Sequence, residues 1–106
     1  MKLEPIVGRY GELDFENRKY RLYFEEAGSG IPLLCLHTAG SDARQYRAVL
    51  NDAEITRRFR VVAFDMPWHG KSSPPAGWQG EDYHLTTGRY TGMVMSVARA
   101  LITIPV

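Results

Sequence analysis

Leu33-Leu34-Cys35-Leu36-His37-Thr38-Ala39-Gly40-Ser41-Asp42 is an apolar run that stops at a turn of small residues and restarts as a helical pattern. A continuous apolar run without polar alternation suits a strand covered on both faces of a parallel sheet, although a buried helix segment shares that pattern. Ser41 and Asp42 supply side-chain oxygens able to cap the first N–H groups of a helix whose apolar positions are Ala43, Tyr46, Val49 and Leu50. The reading is strand, turn, helix. The turn then lies at the carboxyl end of a strand and beside the positive end of a helix, a crevice suited to an anion or a developing oxyanion.

On the amino-terminal side, Tyr20, Leu22 and Phe24 alternate with Arg21, Tyr23 and Glu25, which predicts a half-buried strand. Residues 6–15 mix apolar residues with Gly8, Gly11 and charges and read as a weaker edge strand, paired antiparallel with the next through the polar break Glu16-Asn17-Arg18-Lys19. Ala27-Gly28-Ser29-Gly30 is a turn; it lacks the longer glycine pattern and following lysine of a phosphate loop. On the carboxyl side, Asn51-Asp52-Ala53-Glu54 reads as a polar break, and Arg60-Val61-Val62-Ala63-Phe64-Asp65 as a second apolar strand ending in an acid. Two such strands separated by a helix make a βαβ unit. Residues 66–80, rich in glycine and proline and carrying Trp68 and Trp78, form a long loop at the same sheet edge. Thr86 or Thr87 caps a last helix, along which Tyr90, Met93, Val94, Val97, Ala98 and Leu101 make a core-facing stripe. Gly88 and Gly92 weaken that helix by up to about 1 kcal/mol each relative to alanine. Ile102-Thr103-Ile104-Pro105-Val106 reads as the opening of another apolar, β-branched segment.

Composition narrows the classes. The 106 residues have room for one domain, and 44% hydrophobic with 24% charged residues is the balance of an ordinary globular protein. A net charge of +1 gives no field directed at nucleic acid or an anionic membrane, and Arg57-Arg58-Phe59-Arg60 is a short solvated basic run. The single cysteine, Cys35, excludes an intrachain disulfide and reads as a small buried hydrophobe. Met1-Lys2-Leu3-Glu4-Pro5 meets a charge and a proline before any apolar stretch, unlike a signal peptide, and no stretch reaches the ~20 apolar residues of a membrane span. The expected compartment is the cytoplasm, with no metal or cofactor expected.

Together, two antiparallel strands, a strand with a His-small-small-Gly turn, a helix, a strand ending in Asp, a proline-rich His-Gly loop and a helix resemble the first part of an α/β-hydrolase. His37-Thr38-Ala39-Gly40 stands where that family has its His-Gly loop, and Asp65-Met66-Pro67-Trp68-His69-Gly70-Lys71-Ser72 where many members read Asp-x-x-Gly-His-Gly-x-Ser. Within the family the stretch 37–42 with Tyr46 most resembles the enol-lactonase and carboxylesterase branch. The His-Gly-x-Pro form of epoxide hydrolases and haloalkane dehalogenases is not matched, because Thr38 and Gly40 replace its glycine and proline.

The resemblance implies roughly the first four strands and two helices of the fold, with the chain ending before the serine of a Gly-x-Ser-x-Gly elbow. It implies that the Thr38 backbone N–H is one of two oxyanion-hole donors, that His37, Gly40 and His69 brace the loops, and that Asp65 holds a structural turn. Trp68 replaces the common glycine, which argues against a positive φ at that position. Tyr46 and Trp68 are expected either to line the substrate crevice or simply to pack. Ser41, between small residues at a strand-to-helix turn, is the weaker candidate nucleophile, with Asp65 and His84 as the partners it would need. Otherwise His84 reads as a surface residue. The expected activity is hydrolysis of a small carboxylic ester or lactone, with an exposed strand edge that favours self-association. The alternatives are a small non-catalytic binding domain, and a carbon–carbon bond hydrolase or thioesterase.

Overall fold

A computed structural model describes residues 1–102. Its sheet is built from β1 (Val7–Phe15), β2 (Arg18–Ala27), β3 (Ile31–Leu36) and β4 (Phe59–Phe64), in the order β1-β2-β4-β3. β2 runs antiparallel to both its neighbours, and β3 pairs parallel to β4 from Ile31 opposite Phe59 to Leu36 opposite Phe64. The apolar run 33–36 is thus a strand and not a helix. Only Glu16 and Asn17 leave the hairpin ladder, where a longer break was expected; φ values of 51° and 61° give them the twist of a two-residue turn, and Arg18 and Lys19 already belong to β2.

Side chains alternate across β4 and so feed two cores. Val62 and Phe64 face one side with Leu22, Phe24, Met93 and Val97; Val61 and Ala63 face the other with Ala27, Cys35, Ala43 and Leu50. Each of the larger apolar side chains contributes about 1.5–3 kcal/mol by leaving water. The half-buried pattern predicted for β2 holds only at its start. Glu25, expected on the solvent face, is 3% exposed, because Arg47 covers it with two hydrogen bonds of 3.2 and 2.9 Å and Tyr23 Oη donates a third at 2.8 Å. Those bonds hold the Glu25 carboxyl below its ordinary range, while burial and the bond to Glu25 push the Tyr23 phenol up to about 12.

Where one helix was expected after the first turn, the chain makes a 3-10 turn, Ala43–Tyr46, and two single-turn helices, α1 (Arg47–Leu50) and α2 (Ala53–Thr56). The cause is local. Asp52, read as part of a polar break, caps α2 by accepting from Glu54 N and Ile55 N, so its side chain starts a new helical turn within that break. Asp42 caps the 3-10 turn by accepting from Arg44 N at 2.9 Å, whereas Ser41 makes only a backbone turn, its N–H donating to Thr38 O.

The last helix, α3 (Thr87–Ile102), is capped by Thr86 Oγ1, which accepts from Arg89 N at 3.1 Å. Its stripe packs as expected, with Met93 and Val97 buried and Tyr90, Val94 and Leu101 half-buried against the sheet. Gly92 has a packing reason: a Cβ there would press on the Phe15 ring at 3.0 Å. Ile102, expected to open a strand, closes α3; the rest of that expected segment, 103–106, lies outside the described residues. Among the described residues no helix is long and apolar enough to cross a membrane.

Candidate functional site

The site is built where the loops after β3 and β4 meet. Asp65 follows β4 directly and is 2% exposed. Its Oδ1 accepts from Ala43 N at 2.6 Å and its Oδ2 from Lys71 N at 2.8 Å, so one carboxylate holds the start of the 3-10 turn and the first part of the second loop. Its carbonyl accepts from Ser72 Oγ, whose oxygen in turn accepts from Tyr23 N. Gly70, with φ of 50°, packs so closely on the Asp65 carboxylate that a Cβ has no room. The carboxylates of Asp42 and Asp65 therefore already accept from the first N–H groups of the 3-10 turn. These donors serve the protein's own acids.

His37 joins the two loops. The Met66 N–H can only donate, so His37 Nε2 receives it at 3.0 Å, and the ring proton sits on Nδ1, facing Thr38 O at 2.9 Å. A second histidine lies against it: the His69 ring centroid is 4.9 Å from that of His37, and His69 Nδ1 donates to Pro67 O at 3.1 Å. Gly40 adopts φ of 75° in the turn, with nothing near its Cα that a side chain would strike. Trp68 adopts φ of 72°, against the expectation drawn from its side chain. The conformation that glycine takes freely is imposed here on tryptophan, whose ring is held by Trp78 at 5.6 Å and Tyr83 at 5.9 Å.

His37, Thr38, Ala39, Gly40, Met66, His69, Tyr83, Leu85 and Tyr90 enclose a crevice of about 590 Å³. Trp68 lines a smaller adjoining hollow that shares Met66, Tyr83 and Leu85 with the first, so the two loops form one rim. Tyr46 is elsewhere: its hydroxyl donates to Leu36 O at 2.7 Å and its ring packs against the α1 core, which is the packing alternative. Ser41 stands beside the turn, but both carboxylate oxygens of Asp65 are committed to backbone donors, and His84 is exposed on the wall of the smaller hollow. Burial pushes the Cys35 thiol up, in keeping with an inert core position. Among the described residues no group of three or more His, Cys, Asp or Glu is placed to hold a metal ion.

Two features escaped the sequence reading. Tyr83 and Leu85 come to the crevice from a stretch with no periodic signal, more than forty residues beyond Gly40 in this sequence. Gln45 reaches back to Thr38, its Oε1 accepting from Thr38 N at 2.9 Å and from Thr38 Oγ1 at 3.3 Å. No local pattern marks that contact.

No family model matches the chain. An uncharacterised protein of Mycobacterium tuberculosis is 38% identical over 56 residues, which is 53% of this chain and 16% of that protein. Among solved structures, the N-acyl homoserine lactonase AidH complexed with N-butanoyl homoserine is 30% identical with a TM-score of 0.69, over 88% of this chain and 32% of that one. The Cif epoxide hydrolase from Acinetobacter nosocomialis is 22% identical with a TM-score of 0.70, over 95% of this chain and 28% of that one. The haloalkane dehalogenase DatA from Agrobacterium tumefaciens is 20% identical with a TM-score of 0.65, over 89% and 29% of the two chains. This chain thus spans about a third of the length of these enzymes or less. The likeness crosses enzymes of different chemistry, so it carries a fold and not the branch expected from sequence.

Proposed function

We propose, for a chain whose fold is the opening part of an α/β-hydrolase sheet, that its two loops supply the oxyanion donor of a serine hydrolase acting on a carboxylic ester or lactone. The observation that carries this reading is the bracing of Thr38: its carbonyl is gripped by His37 Nδ1 and Ser41 N, while His37 is itself anchored on Met66 N. Holding the Thr38 carbonyl fixes the backbone of that residue on its carboxyl side, and its own N–H, in the preceding peptide group, is positioned with it beside the crevice, as a donor to a developing oxyanion must be. His37 and His69 act here as braces and not as bases. The lactone or ester choice draws support from the stretch 37–42 and from the 30% identity to a lactonase.

In this fold the nucleophile sits on a later elbow. Serine attack on the carbonyl would break the ester or lactone C–O bond, release the alkoxide as an alcohol protonated by histidine, and leave an acyl-enzyme that water hydrolyses to the acid with histidine as base. The test joins this chain to its downstream coding sequence. The product should hydrolyse p-nitrophenyl butanoate or an acyl lactone and carry a fluorophosphonate-reactive serine in Gly-x-Ser-x-Gly. Thr38→Pro, which deletes the N–H, should lower kcat by roughly 10²–10³-fold. The 106-residue chain alone should not exceed background hydrolysis. Labelling of Ser41, or no such elbow downstream, refutes the proposal.

A further inference from the structure

The Thr38 N–H and hydroxyl converge on a single atom, Gln45 Oε1, at 2.9 and 3.3 Å. That atom is an oxygen by necessity, since a backbone N–H cannot bond to the amide nitrogen. An amide oxygen thus occupies the place where, on the reading above, a substrate oxygen would be received. We propose that Gln45 is a specificity-determining residue: its amide is an internal occupant of the oxyanion position that excludes ground-state ester carbonyls and gives way to a developing oxyanion. This inference rests on the assignment of Thr38 N–H as the oxyanion donor.

The argument is one of relative acceptor strength. Nitrogen donates electron density into the carbonyl of an amide more effectively than oxygen does in an ester, so the Gln45 oxygen accepts a hydrogen bond better than an ester carbonyl. The tetrahedral oxyanion, carrying a full charge, accepts better than either. An ester in its ground state cannot displace the glutamine, whereas the transition state can. The occupant therefore keeps the ester carbonyl off the donor in the ground state, and the oxyanion that displaces it gains the difference between its own hydrogen bond and that of the amide. The geometry permits the exchange. The backbone of Gln45 is fixed, its N–H donating to Asp42 O at 3.1 Å, while its side chain is exposed. The exposed amide is free to swing into water.

The experiment uses the ¹⁵N-labelled 106-residue chain, with solvent exchange of the Thr38 amide followed by NMR and butanoate as the probe. Gln45→Ala should speed Thr38 exchange and tighten butanoate at Thr38, each by roughly fivefold, the effect of one neutral hydrogen bond. Gln45→Glu, an acceptor with a fixed charge, should abolish the butanoate response at neutral pH. Unchanged Thr38 exchange in Gln45→Ala, or equal butanoate affinity in the two proteins, overturns the role of Gln45 and leaves the donor assignment standing. Faster exchange with no butanoate response at Thr38 in either protein overturns the donor assignment, and the occupant with it.

Discussion

At the scale of the residue, the site depends on side chains held where isolated preference would not put them. Trp68 is one: at φ of 72° it bears about 1–3 kcal/mol of backbone strain, sustained by its contacts with Trp78 and Tyr83. Trp68→Ala should therefore be less stable than Trp68→Gly by about 1 kcal/mol in urea unfolding, since both lose the ring and only glycine loses the strain. Equal stability of the two would show that the backbone relaxes once the ring is gone. Asp42 is another. The hydrogen bonds from Arg44, the side-chain ones foremost, depress its carboxyl to about 2 despite partial burial. Because the folded value lies below the unfolded one of about 4, the stabilisation is complete above pH 4 and is lost as pH falls toward 2. Arg44 is largely exposed, so the pair contributes under about 1 kcal/mol at pH 7. Asp42→Asn should cost that much at neutral pH and match the native chain near pH 2 in paired denaturation curves; a constant offset across the range would contradict the account.

At the scale of the element, the loop after β4 completes the hydrogen bonding of β2. β4 pairs with only the last part of β2, from Phe24 to Ala27. Beyond it, the loop after β4 takes over: Asp65 N donates to Tyr23 O, Ser73 N to Arg21 O and Ala76 N to Lys19 O, each at 2.9–3.0 Å. Arg18 closes the same loop through Glu81 at 2.9 and 2.7 Å and through Ala76 O. A buried peptide group must be paired somewhere, and this loop is where β2 finds its partners. The two glycines of α3 separate under the same kind of reasoning. Gly88 faces open space, so Gly88→Ala should raise the melting temperature by an amount equivalent to up to about 1 kcal/mol. Gly92→Ala should gain little or lose, since its methyl meets Phe15. Similar gains at both positions would show that the Phe15 ring yields without cost.

At the scale of the whole molecule, the sheet has two unequal edges. β1 carries Arg9, Glu12 and Asp14, charges that discourage pairing with another chain, whereas β3 is Ile-Pro-Leu-Leu-Cys-Leu with Ile31 64% and Leu33 36% exposed. The chain should associate through β3 as its concentration rises, and Leu33→Lys should shift sedimentation profiles toward the monomer. A monomer at all concentrations, unfolding in one sharp two-state transition, would contradict this. The same scale explains what was legible beforehand. Strand identity, the edge character of β1, the α3 stripe and the pairing of two loops at one rim were all readable, because each follows from periodicity or from connection rules. The break after Leu50 was readable from Asn51 and Asp52, but α2 was missed because Asp52, read only as part of that break, also caps the next turn. The burial of Glu25 was missed because its cover, Arg47, comes from an element 22 residues away.

The amino-acid order alone determined the strand, turn and helix alphabet of this protein, since spacing of apolar residues and the chemistry of small turn residues act over a few positions. Tertiary structure decided the rest: that Asp65 supports two loops, that Trp68 takes a left-handed backbone, and that Gln45 lies on Thr38 N–H. These depend on groups far apart along the chain or on side-chain reach, and hydrogen bonding between such groups exists only once packing has brought them to bonding distance.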